Sequence, residues 1–225
     1  MKKLLGLLLI FSLSSYGLKA QTKPNIVLIL ADDMGFSDLG CYGGEIQTPN
    51  LDRLADNGIR LKEFYNTGRC CPTRASLLTG QYSHNTGMGY MTGFDQNVYG
   101  YKGDLNKNCV TIAEALKPAG YTSYISGKWH VCSNIRPEGD QSNWPTQRGF
   151  DGFFGILQGS ASYFDPATLT TGNDLMKAPS DFYLTDAITD SATAFIHNKA
   201  KSKNPFFLYV AYNAPHWPLH AKEND

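Results

Sequence analysis

The sequence predicts an α/β domain built in three layers around a mostly parallel sheet, and three observations carry that prediction. The continuous apolar run at 25–31 has the composition of a strand buried on both faces, and 121–126 and 206–212 read as further strands. Segments with helical spacing lie between them, at 49–58, 72–79, 111–117 and 183–201. Each apolar run also ends in residues able to do chemistry, and carboxyl ends of strands are where open α/β sheets hold ligands.

Taken in order, the chain begins with Lys2 and Lys3, an apolar run from Leu4 to Leu13, then Ser14, Ser15, Gly17 and Ala20 before Gln21. That is the pattern of an export signal over residues 1–20, and the run is short for a membrane span. Export to a periplasm or to the outside is therefore expected, with no stable membrane span after cleavage; an uncleaved N-terminal anchor is the alternative. Removal of Lys2, Lys3 and Lys19 changes a balance of 20 basic and 20 acidic residues to 17 against 20. No basic cluster follows, so no nucleic-acid partner is expected.

Asn25–Ala31 is the first strand and stops at Asp32 and Asp33. Thr48-Pro49 opens a helix with Leu51, Leu54, Ala55 and Ile59 facing inward and Gly58 near its end. Arg60–Tyr65 reads as a short strand, and Pro72–Thr79 as a helix closed by Gly80. Residues 81–109 and 131–180 lack sustained periodicity and read as long loops. Thr111 and Glu114 have capping-box spacing ahead of Ile112, Ala115 and Leu116, and Pro118 and Gly120 break that helix. The Tyr121–Ser126 strand leads into Gly127-Lys128-Trp129-His130. The last helix turns Ala187, Ile188, Ala194, Phe195 and Ile196 inward, and the Phe206–Tyr212 strand ends at Asn213-Ala214-Pro215-His216. With only nine residues after His216, the chain reads as cut short: no helix follows the last strand to cover its face, so that strand is expected to leave apolar sheet surface exposed.

Four clusters are candidates for chemistry: Asp32 with Asp33, Cys70 to Arg74, Lys128 with His130, and His216. The two acids offer hard oxygen ligands suited to calcium or magnesium, but calcium takes about six to eight oxygens, so they cannot suffice. Cys70-Cys71 lacks the Cys-x-x-Cys spacing of a zinc or redox site. Five cysteines, Cys41, Cys70, Cys71, Cys109 and Cys132, cannot all pair within one chain, so one thiol has another fate. Tyr82, Tyr90, Phe94, Tyr99, Tyr101, Phe154 and Tyr163, with Trp129 and Trp217, are either sugar-stacking or packing aromatics.

The run Cys70-Cys71-Pro72-Thr73-Arg74-Ala75-Ser76-Leu77-Leu78-Thr79-Gly80 resembles the sulfatase signature, Cys-x-Pro-x-Arg followed after three residues by Leu-Thr-Gly. Gln81 stands where the family often has Arg. Pro24–Gly40, Gly127–His130 and Ala214–Pro218 resemble further sulfatase segments in the family's order. The resemblance implies an alkaline phosphatase-like fold, of which residues 23–225 form the N-terminal portion of the catalytic domain. It implies that Cys70 becomes formylglycine through a formylglycine-generating enzyme, an alternative to a Cys70–Cys71 or external disulfide. It further implies calcium at Asp32, Asp33 and residue 70, with Arg74, Lys128, His130 and His216 catalytic. A gem-diol oxygen at residue 70 would attack the sulfur of a sulfated small molecule or carbohydrate. Lys128 and Arg74 would offset charge, His216 or Lys128 would protonate the leaving alcohol, and His130 would help release sulfate. The family's later Asp-Asn pair and second lysine lie beyond Asp225. The alternatives are a formylglycine-dependent phosphodiesterase or phosphonate monoester hydrolase, and a silent fragment or sugar-binding module.

Overall fold

In a computed structural model, residues 22–202 and 204–223 are described; the expected signal at 1–20 lies outside them. The sheet has six strands in the order β1-β6-β2-β3-β4-β5: β1 Ile26–Asp32, β2 Thr122–Lys128, β3 Gly152–Ile156, β4 Leu169–Thr171, β5 Asp174–Leu175 and β6 Phe206–Pro215. β1, β6, β2 and β3 are parallel, and β4 and β5 are antiparallel additions. The helices are α1 Pro49–Asp56, α2 Cys70–Thr79, α3 Ile112–Leu116 and α4 Leu184–Lys199.

The period of two along β6 assigns the layers. Phe207, Tyr209 and Ala211 face one side, where they join Cys71, Ala75 and Leu78 of α2 and Ala113 of α3. Phe206, Leu208 and Val210 face the other, against Leu184, Ile188 and Ala192 of α4. Helices thus cover both faces of the central strands, the three-layer α/β arrangement expected from the sequence. Each fully buried large apolar side chain there contributes about 1.5–3 kcal/mol. Among the described residues, no helix is long and apolar enough to cross a membrane.

Several expectations are corrected. Arg60–Tyr65 forms no strand, and its apolar side chains are exposed because no neighbouring strand offers a ladder. Leu51, Leu54 and Ile59 were expected inward, yet all three face solvent; α1 rests on the turn at Gly40–Tyr42 and not on the sheet. In α4, Ala194 is exposed, while Leu184 and Ala192 are buried instead. Residues 131–180 are not one loop: they hold β3, β4 and β5. Gly152-Phe153-Phe154-Gly155-Ile156 is too short and glycine-rich to show as a strand by periodicity, and its pairing with β2 makes it one. Within 81–109, Ser83, Thr86, Met88 and Leu105 are buried, so that segment is packed and not a surface loop. The uncovered face expected on the last strand is not there: residues 206–211 of β6 are buried, because β6 lies between β1 and β2 with α2 on one face and α4 on the other. The exposed apolar residues are instead on β1, where Val27 and Ile29 are 46% and 55% exposed.

Candidate active site

Parallel pairing carries the polar clusters to one edge. β1, β6 and β2 run the same way, so Asp32, Pro215 and Lys128 all lie at carboxyl ends, with Asp32 opposite Pro215. Gly127 is required here: its φ is +123°, and an added Cβ would lie 1.9 Å from Ala211 O. Beyond β2, Trp129 N–H donates to Ile156 O at 2.9 Å and His130 N–H to Leu157 O at 3.1 Å, which prolongs the pairing with β3. Two residues apart on an extended backbone, Lys128 and His130 would point to one side. His130 instead has φ +53°, and Asp33 has φ +63°. Such left-handed non-glycine residues cost about 1–3 kcal/mol each and gather at functional sites.

α2 begins at Cys70, two residues before the expected start, because proline is tolerated throughout a first helical turn. Cys70 therefore occupies that turn, where backbone N–H groups lack helical partners and the helix dipole is positive. Arg69 precedes it without a side-chain cap, and Gly80 closes the helix with its N–H donating to Ser76 O at 2.8 Å.

Arg74 and Lys128 are 1% and 0% exposed and converge on Asp32. Lys128 Nζ donates to Asp32 Oδ2, and Arg74 Nη2 lies 3.3 Å from the same oxygen. Arg74 Nη1 donates to Lys128 O at 2.8 Å and to the Tyr209 hydroxyl at 3.3 Å. Arg74 Nε and Nη2 are buried without a hydrogen-bond acceptor. Leaving buried donors unpaired costs about 1–3 kcal/mol each, so the guanidinium presents unused donor capacity to an anion. One carboxylate against two cations leaves Asp32, Lys128 and Arg74 together net positive.

On the other side of residue 70, Cys71 Sγ lies 3.2 Å from His130 Nε2, and His130 Nδ1 is buried without a partner. His216 Nε2 is 3.6 Å from Asp33 Oδ2. Burial, reinforced by Lys128 and Arg74, pushes the His130 pKa down. Burial and then Arg74 lower that of Lys128 against the opposing pull of Asp32. The Cys70 thiol is acidified by its hydrogen bond with Cys71, then by His130 and Lys128, against the effect of burial.

Residue 70 faces two cavities. One, of about 150 Å³, is lined by Asp32, Asp33, Asn66, Arg69, Cys70 and Arg74; the other, of about 450 Å³, by Cys70, Thr92, His130, Gly159, Ser160 and His216. The structure thus brings Asp32, Asp33, Cys70, Arg74, Lys128, His130 and His216 around one place. Both contacts to Asp32 fall on Oδ2, leaving Oδ1, and Asp33 is largely exposed, so hard oxygen donors border the smaller cavity. They fit a calcium ion in kind, though two carboxylates fall short of its usual number. Among the described residues, Cys70, Cys71 and His130 also form a group that could coordinate a metal.

Sequence reasoning gave Cys71 no role, although helix packing turns it to His130. It missed Tyr209, whose place in the β6 alternation with Phe207 was readable. It also missed Gly159, where an added Cβ would lie 2.1 Å from His130 Cε1; no local signal marks that approach. Among the aromatics, Trp129 and Tyr163 are buried, Tyr163 donating to His216 O at 2.7 Å, and Phe154 packs beneath α4. Tyr82, Phe94, Tyr99 and Trp217 are exposed, and Tyr90 stacks under Arg69.

The sulfatase family model matches residues 24–224. The arylsulfatase of Klebsiella aerogenes is 35% identical over 216 residues, covering 90% of this chain and 45% of that protein. A crystal structure of Ps i-CgsB in complex with a neocarrahexaose superposes with TM-score 0.76 at 33% identity, covering 90% of this chain and 47% of that one. BT4656 in complex with D-glucosamine-2-N,6-O-disulfate, described as its substrate, gives TM-score 0.67 at 32% identity, with 87% and 35% covered. The chain thus spans about half or less of the length of these relatives. With the ordered signature, the parallel sheet and these matches in agreement, the chain belongs to the sulfatase family.

Proposed function

We propose that this chain supplies the nucleophile-bearing half of a hydrolase for sulfate monoesters, working in an exported protein. One observation carries the reading most: Arg74 Nε and Nη2 are buried without acceptors beside a half-buried residue 70. An anion with several oxygens satisfies such donors, and Arg matches its geometry. In the full protein, formylglycine at residue 70 would supply a hydrated aldehyde oxygen for attack on sulfur, and calcium held by Asp32 and Asp33 the charge that activates it.

The chain's own residues do the rest. Arg74 orients the sulfate and, with Lys128, offsets charge as the ester bond lengthens. Asp32 holds both cations in place, so neither must reorganise during the reaction. His216, bordering the larger cavity with Nε2 3.6 Å from Asp33 Oδ2, donates a proton from Nε2 to the departing alcohol oxygen. His130, kept neutral by burial, accepts a proton from residue 70. The exposed Phe94 on the larger cavity suits a sugar or aryl ring. A carbohydrate sulfate fits the relatives bound to a neocarrahexaose and to D-glucosamine-2-N,6-O-disulfate, and an aryl sulfate fits the Klebsiella arylsulfatase.

The test is to produce the full-length protein with and without a formylglycine-generating enzyme. Mass analysis of the peptide containing residue 70 should show aldehyde only with that enzyme, and turnover of aryl or sugar sulfates should follow conversion. Conversion without turnover of any sulfate ester, or preference for an aryl phosphate diester, would overturn the reading.

A further inference from the structure

The larger cavity holds a set of donors that sulfate ester chemistry does not use while residue 70 is still cysteine. The ligand atoms of Cys70, Cys71 and His130 all lie within 4.8 Å of one another, and Cys71 Sγ is 3.2 Å from His130 Nε2. Cys71 and His130 are buried, Cys70 is half-buried on the cavity wall, and all three belong to rigid elements or their immediate ends. None of the five thiols is paired. We propose that the unconverted protein binds a thiophilic divalent cation such as zinc through Cys70 Sγ, Cys71 Sγ and His130 Nε2, with the fourth position open to the cavity.

The donors decide the metal class. Two thiolates and an imidazole suit zinc and cobalt, whereas calcium requires oxygen ligands. With metal–sulfur bonds of about 2.3 Å and metal–nitrogen bonds of about 2.0–2.1 Å, tetrahedral ligands sit roughly 3.5–3.8 Å apart. The observed separations, 3.2 Å for Cys71 Sγ to His130 Nε2 and no more than 4.8 Å within the group, bracket that spacing. Asp32 lies on the other cavity and pairs with Lys128 and Arg74, a group that stays net positive, so the cation is drawn by the two thiolates and the imidazole themselves. Binding forms two metal–sulfur bonds and one metal–nitrogen bond, releases a proton from each thiol, and involves no change of oxidation state. Conversion of residue 70 to an aldehyde removes one sulfur and so dismantles the site. The unconverted chain would then carry a soft-metal site beside the oxygen donors of Asp32 and Asp33. This inference needs only cysteine at 70, so failure of the sulfate ester reading leaves it standing, and its own failure leaves that reading untouched.

The experiment titrates cobalt(II) into full-length protein made without a converting enzyme and follows absorbance. A thiolate-to-cobalt charge-transfer band in the near ultraviolet, displaced by zinc and not by millimolar calcium, is the expected result. Cys71→Ser keeps the buried volume and should weaken binding by more than the ~10–100-fold typical of losing an outer partner. Cys70→Ala, at a half-exposed position that asks little of the fold, should do the same, and Asp33→Asn should bind as the parent does. Circular dichroism checks that each variant is folded. Absence of the band, displacement by calcium, or equal affinity in folded Cys70→Ala would overturn the proposal.

Discussion

Two regions meet at residue 70 and differ in how their apolar surface is used. In the β2–β6 region, Ile125, Phe207 and Tyr209 are fully buried, and the catalytic candidates Lys128 and Arg74 sit among them. In the region running from β1 through residue 65, Val27, Ile29, Leu54, Ile59 and Phe64 are exposed, although the sequence has the same apolar character. Among the described residues, β1 has a partner on one edge only, and α1 packs on a local turn. Burial therefore follows from having neighbours on both faces and both edges, and apolar composition alone does not provide it. The acids of the site hang from the open region, and its cations are fixed by the closed one.

The largest effect expected from this contrast is at Lys128. In the 225-residue chain, Lys128→Ala leaves a buried carboxylate short of one partner and should cost about 3–5 kcal/mol in urea unfolding. A cost below 1 kcal/mol would mean that water reaches the pair. Ile125→Ala should cost about 2–5 kcal/mol, while Ile29→Ala on the open face of β1 should cost far less. Equal costs would break the comparison; a larger cost for Ile29→Ala in the full-length protein than in this chain would show that other residues cover β1 there. Gly159→Ala forces the His130 ring aside and should lower sulfate ester turnover by about 100-fold in the full-length protein, with the unfolding midpoint little changed. The smallest change is Leu54→Ser, which should stay within about 0.5 kcal/mol in the same unfolding assay.

Much of the site was legible because its residues sit in short linear segments. Cys70 and Arg74 are four apart on one helix, and Asp32, Lys128 and His216 each terminate or follow an apolar run. The capping box of Thr111 and Glu114 was equally local, and both of its hydrogen bonds form. Less legible were features made by chain segments far apart. β3 is a strand because β2 lies beside it, and Cys71 matters because His130, 59 positions away, swings back in a left-handed turn. Arg60–Tyr65 has strand composition and no partner, so it forms no strand.

The sequence by itself determined the strands β1, β2 and β6 and the helices between them, the signature around residue 70, and the supply of acids, cations and imidazoles. Local chemistry sufficed for these, since periodicity, caps and proline act within a few residues. Only the tertiary structure decided that Lys128 and Arg74 share the single carboxylate of Asp32, that Cys71 and Gly159 confine His130, and which apolar faces are covered. Those outcomes depend on parallel pairing between distant segments, whose register fixes which side chains share a space.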